Sequence, residues 1–212
     1  MKKFAFISLA VFAGLLVLLF GAFLFSPWSY NRSAERWELA HEVTVKASPG
    51  DVYRYLGNSN NAAKWSVFVN HIRPLNAELV PDGDKGSFRR CFHDSDEQGM
   101  QWDEEIIRAD SASIRTLSIF NIQRATLQTE GLRTNQVYTP EGSNTRLRFE
   151  LYYEGSFFQP NRFWKSVIGG YVILPIFKNN MANIARLVEA EQAEKAYSAP
   201  GYAAPVTLHI AD

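Results

Sequence analysis

Cysteine is almost absent: Cys91 is the only one among 212 residues. One thiol excludes an intrachain disulfide and any multi-cysteine zinc site. Histidine is scarce too, and residues 41, 71, 93 and 209 are scattered, with none at helical spacing from another ligand. No metal site and no cofactor are therefore expected. The chain contains no G-x-S-x-G elbow, no Walker loop, no G-x-G-x-x-G turn and no H-E-x-x-H pair, so the commonest hydrolase, nucleotide-binding and zinc-protease signatures are missing. Charge of one sign is also missing, since lysine plus arginine equals aspartate plus glutamate at 22 each. That balance provides no long-range pull toward nucleic acid, and no nucleic-acid partner is expected.

Hydrophobic and aromatic residues are what the chain has in quantity, at 46% and 14%. Phe4 to Phe25 is a run of 22 residues without a charge. A helix of that length covers about 30 Å of hydrocarbon, and it lacks the short apolar core and small-x-small ending of a cleaved signal. It predicts a single-pass membrane anchor over residues 1–30. Lys2 and Lys3 before it predict a folded part on the non-cytoplasmic, periplasmic side. The folded part is expected over 31–197, with a loose tail over 198–212.

Trp37 to Lys46 reads as a strand, with Leu39, His41, Val43 and Val45 on one face. Ser48 can cap a helix beginning at Pro49, with Asp51 in its first turn. That helix ends near Leu56, and a second short one covers about residues 61–65. From Ile72 onward, alternating segments separated by turns predict an antiparallel meander: Ser87 to His93, Gln101 to Arg108, Ser113 to Phe120, Leu132 to Tyr138 and Thr145 to Gly155. A long helix closes the chain from about Asn161 to Ala196. Its stripe is Phe163, Val167, Tyr171, Leu174, Phe177, Met181, Ile184 and Val188, with a kink or break expected at Gly169-Gly170 and Pro175. Val206 to Ile210 could add a short strand.

The order of these elements, with the segment Val43 to Tyr53, Lys64-Trp65 followed by Phe68, Gly86-x-x-x-Arg90, and Trp102-x-Glu104-Glu105-Ile106-Ile107, resembles the SRPBCC superfamily. That superfamily includes START lipid-transfer domains, the birch-pollen allergen group and polyketide cyclase/dehydrase-like proteins, and the last branch is the most similar. The resemblance covers about residues 38–190. It implies an α+β helix-grip fold: a curved antiparallel sheet gripping a long C-terminal helix, with a cavity between them. Here the N-terminal apolar helix would be an addition to that fold. The segment Val167 to Phe177 departs from the usual amphipathic helix, being apolar almost all round; contact with a membrane surface, contact with a second subunit and packing within the core are the three readings of it.

The candidate ligand-binding residues are Trp65, Phe68, Phe88, Arg90, Phe92, Trp102, Glu104, Phe149, Tyr153, Phe163, Val167 and Tyr171. Aromatic side chains are ordinary core material, so filling a dry interior is the plainer role for each of them. Arg90 and Glu104 are more informative, because each shares a strand face with aromatics: Arg90 with Phe88 and Phe92, Glu104 with Trp102 and Ile106. Pointing inward, they would pair or serve a ligand as the polar end of a cavity. No catalytic residue is selected. The expected function is membrane-tethered binding, with transfer as an extension, of a hydrophobic small molecule or lipid. The alternatives are a cyclase or dehydratase acting on an apolar substrate, with Glu104 or a histidine as acid/base, and a non-catalytic interaction module in a membrane complex.

Overall fold

The computed structural model describes residues 2–125, 131–157 and 160–198. Helix α1 covers Lys2–Leu24 and leads into a short edge strand, β1, at Ser29–Asn31. Strand β2, Arg36–Val45, follows, then helix α2, Pro49–Gly57. Ser48 has the extended backbone of a helix cap, and its Oγ accepts from the Asp51 N–H at 3.2 Å, while Pro49 occupies the first turn, where its missing N–H costs nothing. A 3-10 turn at Ser59–Asn61 precedes α3, Ala62–Trp65. The meander comprises β3 (His71–Pro74), β4 (Phe88–Phe92), β5 (Gln101–Asp110), β6 (Ile114–Gln123), β7 (Leu132–Glu141) and β8 (Asn144–Glu154), and helix α4, Pro160–Tyr197, ends the described chain.

Among the described residues the strands form one antiparallel sheet, in the order β1-β2-β8-β7-β6-β5-β4-β3. The first long strand is thus paired with the last, and the meander runs outward from β8. Gly142, at φ 63, makes the tight turn between β7 and β8, which lets both strands extend further than the alternation implied. Register shifts between Gln101 and Asp103 and between Ile106 and Arg108 bend the β5–β6 pair. The result is an α+β fold with a curved sheet and a long C-terminal helix, which fits the helix grip.

The lower half of α4 buries Met181, Ile184 and Val188 against Val45, Leu147 and Phe149 of the sheet and Val52 and Leu56 of α2. This is the closing part of the predicted stripe. The expected break does not occur: α4 is one helix with Pro175 inside it. Packing on both sides of that turn outweighs the roughly 3 kcal/mol an interior proline costs. A second cluster, Trp28, Trp37, Leu39, Leu151 and Tyr153, closes the other end of the sheet against Ile173, Leu174 and Phe177. The edge strand β1, which supplies part of that end, was not foreseen; three residues are too few for alternation to show. The strand expected at 206–210 lies outside the described residues.

The expected membrane anchor is corrected. Among the described residues no helix is long and apolar enough to cross a membrane. A single-pass membrane location with a periplasmic domain is therefore withdrawn.

On the outer face of the sheet, Glu150 accepts from Arg148 Nε at 2.8 Å and Asn135 Nδ2 at 2.9 Å, and pairs with Arg36 at 3.2 Å. Burial alone would raise its pKa, but the hydrogen bonds and the neighbouring charges outweigh burial and leave it below the usual glutamate value. A carboxylate with a depressed folded pKa adds stability above its unfolded pKa and loses it as pH falls through the folded one. Urea midpoints are thus expected to drop as pH is lowered through and below the ordinary glutamate range, and Glu150→Gln is expected to flatten that limb. Identical acid limbs in the two proteins would show that the network adds no net stability.

Candidate functional site

Between the curved sheet, α3 and α4 lies a cavity of about 600 Å³, with walls that are mostly apolar. Its size is within the range of small-molecule pockets. Of the predicted ligand residues, Trp65, Phe68, Trp102, Glu104, Phe149 and Tyr153 line it. Phe68 stacks on Trp102 with ring centroids 5.7 Å apart, so the loop after α3 forms a wall continuous with β5.

Four candidates lie elsewhere. Phe88, Arg90 and Phe92 point to the opposite face of β4. There Phe88 meets Phe120 edge-on at 6.1 Å, His71 stacks on Phe92 at 4.6 Å, and Arg90 grips Asp103 through two hydrogen bonds of 2.6 and 2.9 Å. Tyr171 faces away from the cavity, half exposed, and donates from its hydroxyl to the Ala22 carbonyl at 3.0 Å. The side chains of Phe163 and Val167 lie outside the described residues.

The inward face of β4 carries Arg89 and Cys91 instead, paired across the ladder with Glu104 and Trp102. The expected Arg90–Glu104 pair is therefore an Arg89–Glu104 pair, with Arg89 Nε donating to Glu104 Oε2 at 2.9 Å and both side chains largely buried. Trp102 Nε1 donates to the other carboxylate oxygen at 3.0 Å. Burial opposes the Arg89 charge, but Glu104 beside it outweighs burial and holds the guanidinium pKa above its ordinary value. The Cys91 thiol is pushed well up, chiefly by burial and then by the Glu104 charge, so it is protonated and unreactive. The register was ambiguous in the sequence, because each of the two adjacent arginines faces an acid across the ladder. Helix α4 covers only one side of the sheet, and that decides which arginine is internal.

A second polar group stands behind the cavity wall. Arg115 is buried and donates to the Gly83 and Tyr53 carbonyls at 3.1 Å each, and to Gln136 Oε1 and Tyr138 Oη at 3.2 Å each. Its guanidinium lies 3.9 Å from the centroid of the Tyr53 ring. The backbone makes room for it closely: a Cβ on Gly57 would stand 2.8 Å from Arg115 Nη2, and one on Gly83 would stand 2.7 Å from the Gly57 carbonyl oxygen, at a φ of +89 that already favours glycine. Sequence reasoning did not find Arg115, Gln136 or Asn180, because single polar residues within apolar strands and helices carry no pattern. Trp28 also lines the cavity. Among the described residues no cluster of three or more histidine, cysteine, aspartate or glutamate side chains could hold a metal ion.

Comparison with known proteins gives a consistent picture. The family described as "Polyketide cyclase / dehydrase and lipid transport" matches residues 36–189. No curated protein matches the sequence. Among solved structures, a point mutant of norcoclaurine synthase from Thalictrum in complex with a transition-state analogue aligns with TM-score 0.54 at 16% identity, over 74% of this chain and 96% of that one. The di-domain ARO/CYC protein StfQ of the steffimycin biosynthetic pathway aligns with TM-score 0.55 at 15% identity, over 78% of this chain and 54% of the longer neighbour. XoxI from Bacillus cereus aligns with TM-score 0.51 at 11% identity, over 73% and 97%. At these identities the likeness is one of fold.

Proposed function

The chain belongs to the polyketide cyclase / dehydrase and lipid transport family, and from that premise we propose that it binds a hydrophobic small molecule or lipid in the cavity between sheet and helix. The observation that carries this reading is the cavity itself, about 600 Å³ with predominantly apolar walls. A ligand burying about 250 Å² of apolar surface there gains about 6 kcal/mol before the cost of association. Trp65, Phe68, Trp102, Phe149 and Tyr153 are the residues assigned to hold its apolar body, with Arg89 and Glu104 at the polar end.

A second reading, cyclase-type catalysis on a bound apolar substrate, is favoured by one feature, the Glu104 carboxylate inside an apolar chamber. Both of its oxygens already accept hydrogen bonds, from Arg89 and from Trp102. That arrangement suits a structural counter-ion better than a general acid or base, which needs a free oxygen toward the substrate. Binding is the stronger reading. In a binding protein Glu104→Gln keeps ligand affinity; in an enzyme the same change abolishes turnover and leaves affinity in place.

Titration with the neutral fluorophore N-phenyl-1-naphthylamine tests the binding reading. Saturable binding at one site per chain is expected. A variant carrying Leu117→Trp and Thr134→Trp, two neighbouring wall positions on β6 and β7, is expected to lose at least about tenfold in affinity, or 1.4 kcal/mol. Absence of saturation in the unaltered protein, or equal affinity in the variant, would overturn it.

A further inference from the structure

The polar atoms facing the cavity are not a balanced set of donors and acceptors. Glu104 has both oxygens engaged. Gln136 lines the cavity, and its amide orientation is fixed from behind: Arg115, which can only donate, and the Tyr138 hydroxyl both bond to Oε1, at 3.2 and 2.8 Å. That leaves the Gln136 amide N–H groups without a partner among the described residues. Asn180 of α4 is fixed in the same way, because its Oδ1 accepts from the Val67 backbone N–H at 2.7 Å, leaving its Nδ2 unengaged. Arg89 donates through Nε alone, so both of its Nη groups have no partner among the described residues. Arg89, Gln136 and Asn180 are 4%, 5% and 6% exposed. Ser66 Oγ already accepts from the Phe68 and Val69 N–H groups, which leaves it only a proton to offer. Thr134 is the neutral member of the set, able to donate or accept.

Unengaged N–H groups of three largely buried side chains, on three separate elements lining one apolar chamber, suit a partner that only accepts. Building on the binding reading above, we propose that the ligand is an apolar molecule ending in a carboxylate, with its oxygens received by the Arg89 Nη groups and the amides of Gln136 and Asn180. A carboxylate has two acceptor-only oxygens, which matches the set and brings no donor that would be left facing an N–H. The inference rests on the placement of donors and not on net charge, since Glu104 pairs with Arg89 and the Asp82 carboxylate, held by Ser59, adds to the Arg89 field.

Displacement of N-phenyl-1-naphthylamine by four probes with the same twelve-carbon chain separates head-group chemistry from apolar fit: dodecanoate, 2-dodecanone, dodecan-1-ol and dodecylammonium. Dodecanoate is expected to bind at least about tenfold more tightly than dodecylammonium, with the ketone ahead of the ammonium as well. Gln136→Glu retains an oxygen for Arg115 and Tyr138 but replaces the free N–H groups with a second oxygen. It is expected to weaken dodecanoate by about tenfold or more and to strengthen dodecylammonium. Equal affinity for all four heads, or preference for the ammonium, in a protein that binds the fluorophore would overturn the head-group assignment while leaving the binding reading intact. Failure to bind the fluorophore at all would overturn the binding reading first. The probe ranking in the unaltered protein decides the assignment even where the variant does not fold.

Discussion

Replacing Arg115 with methionine is expected to destabilise the fold by about 4 kcal/mol, the largest single-residue effect foreseen for the sheet. Arg115 is 1% exposed, and its guanidinium ties β6 to three other elements: the Tyr53 carbonyl of α2, the Gly83 carbonyl of the loop before β4, and Gln136 and Tyr138 of β7. Methionine fills the volume but donates nothing, leaving two backbone carbonyls without this partner, at about 1–3 kcal/mol each. The contact with the Tyr53 ring, worth up to about 2 kcal/mol when desolvated, is lost as well. Recovered guanidinium solvation offsets part of the sum. Lysine at this position keeps the charge but cannot reproduce the planar fork, so Arg115→Lys is expected to recover less than half of the loss. Urea unfolding followed by tryptophan fluorescence measures both. A loss below about 1 kcal/mol in Arg115→Met would show that the network is energetically idle.

Trp28 and Gly170 are expected to show the second-largest effects, and to be coupled. Trp28 is 6% exposed, lies 5.5 Å from Tyr153 between ring centroids, and closes one end of the cavity. It fits because position 170 of α4 has no side chain: a Cβ there would stand 2.3 Å from Trp28 Cδ1, 2.5 Å from its Nε1 and 2.8 Å from Pro27 Cγ. Removing the ring with Trp28→Ala is expected to cost about 3 kcal/mol. That is the low end for a large aromatic, because Trp28 Nε1 is buried without a partner and its removal relieves that penalty. Gly170→Ala alone is expected to cost about 2 kcal/mol, since overpacking against the indole exceeds the gain in helix propensity. With Trp28→Ala already present only the Pro27 ring is left in the way, and Gly170→Ala is expected to cost less than about 1 kcal/mol, because helix propensity offsets much of the remaining strain. A double-mutant cycle measures this coupling. Additive single effects would show that the ring does not occupy the notch above Gly170.

These two residues also show what was legible in the sequence. The meander, the capped α2 and the lower half of α4 follow from local signals: alternation along β8, Ser48 before Pro49, and the spacing of Met181, Ile184 and Val188. The order of elements sufficed for the helix-grip fold and for a cavity between sheet and helix. The polar end was not legible in the same way. Strand β4 carries Phe88 and Phe92 on one side and Arg89 and Cys91 on the other, and apolar patterning selects the phenylalanine face. That face does pack apolar rings, but against Phe120 and His71 on the side of the sheet away from α4. Gln136, Asn180 and Arg115 acquire meaning only from partners distant in the chain: Asn180 bonds to Val67, and Arg115 to Tyr53. The apolar N-terminal run was read correctly as a helix; its reading as a membrane span is the part that fails.

The occupancy of the cavity is most directly measured by native mass spectrometry of the intact chain mixed with neutral and carboxylate-headed apolar molecules of graded length. One increment per chain is expected, equal to the mass of a single such molecule, and it is expected to vanish in the protein carrying Leu117→Trp and Thr134→Trp. A bare mass across the whole set, or increments equally abundant in that variant, would contradict a ligand site between the sheet and α4.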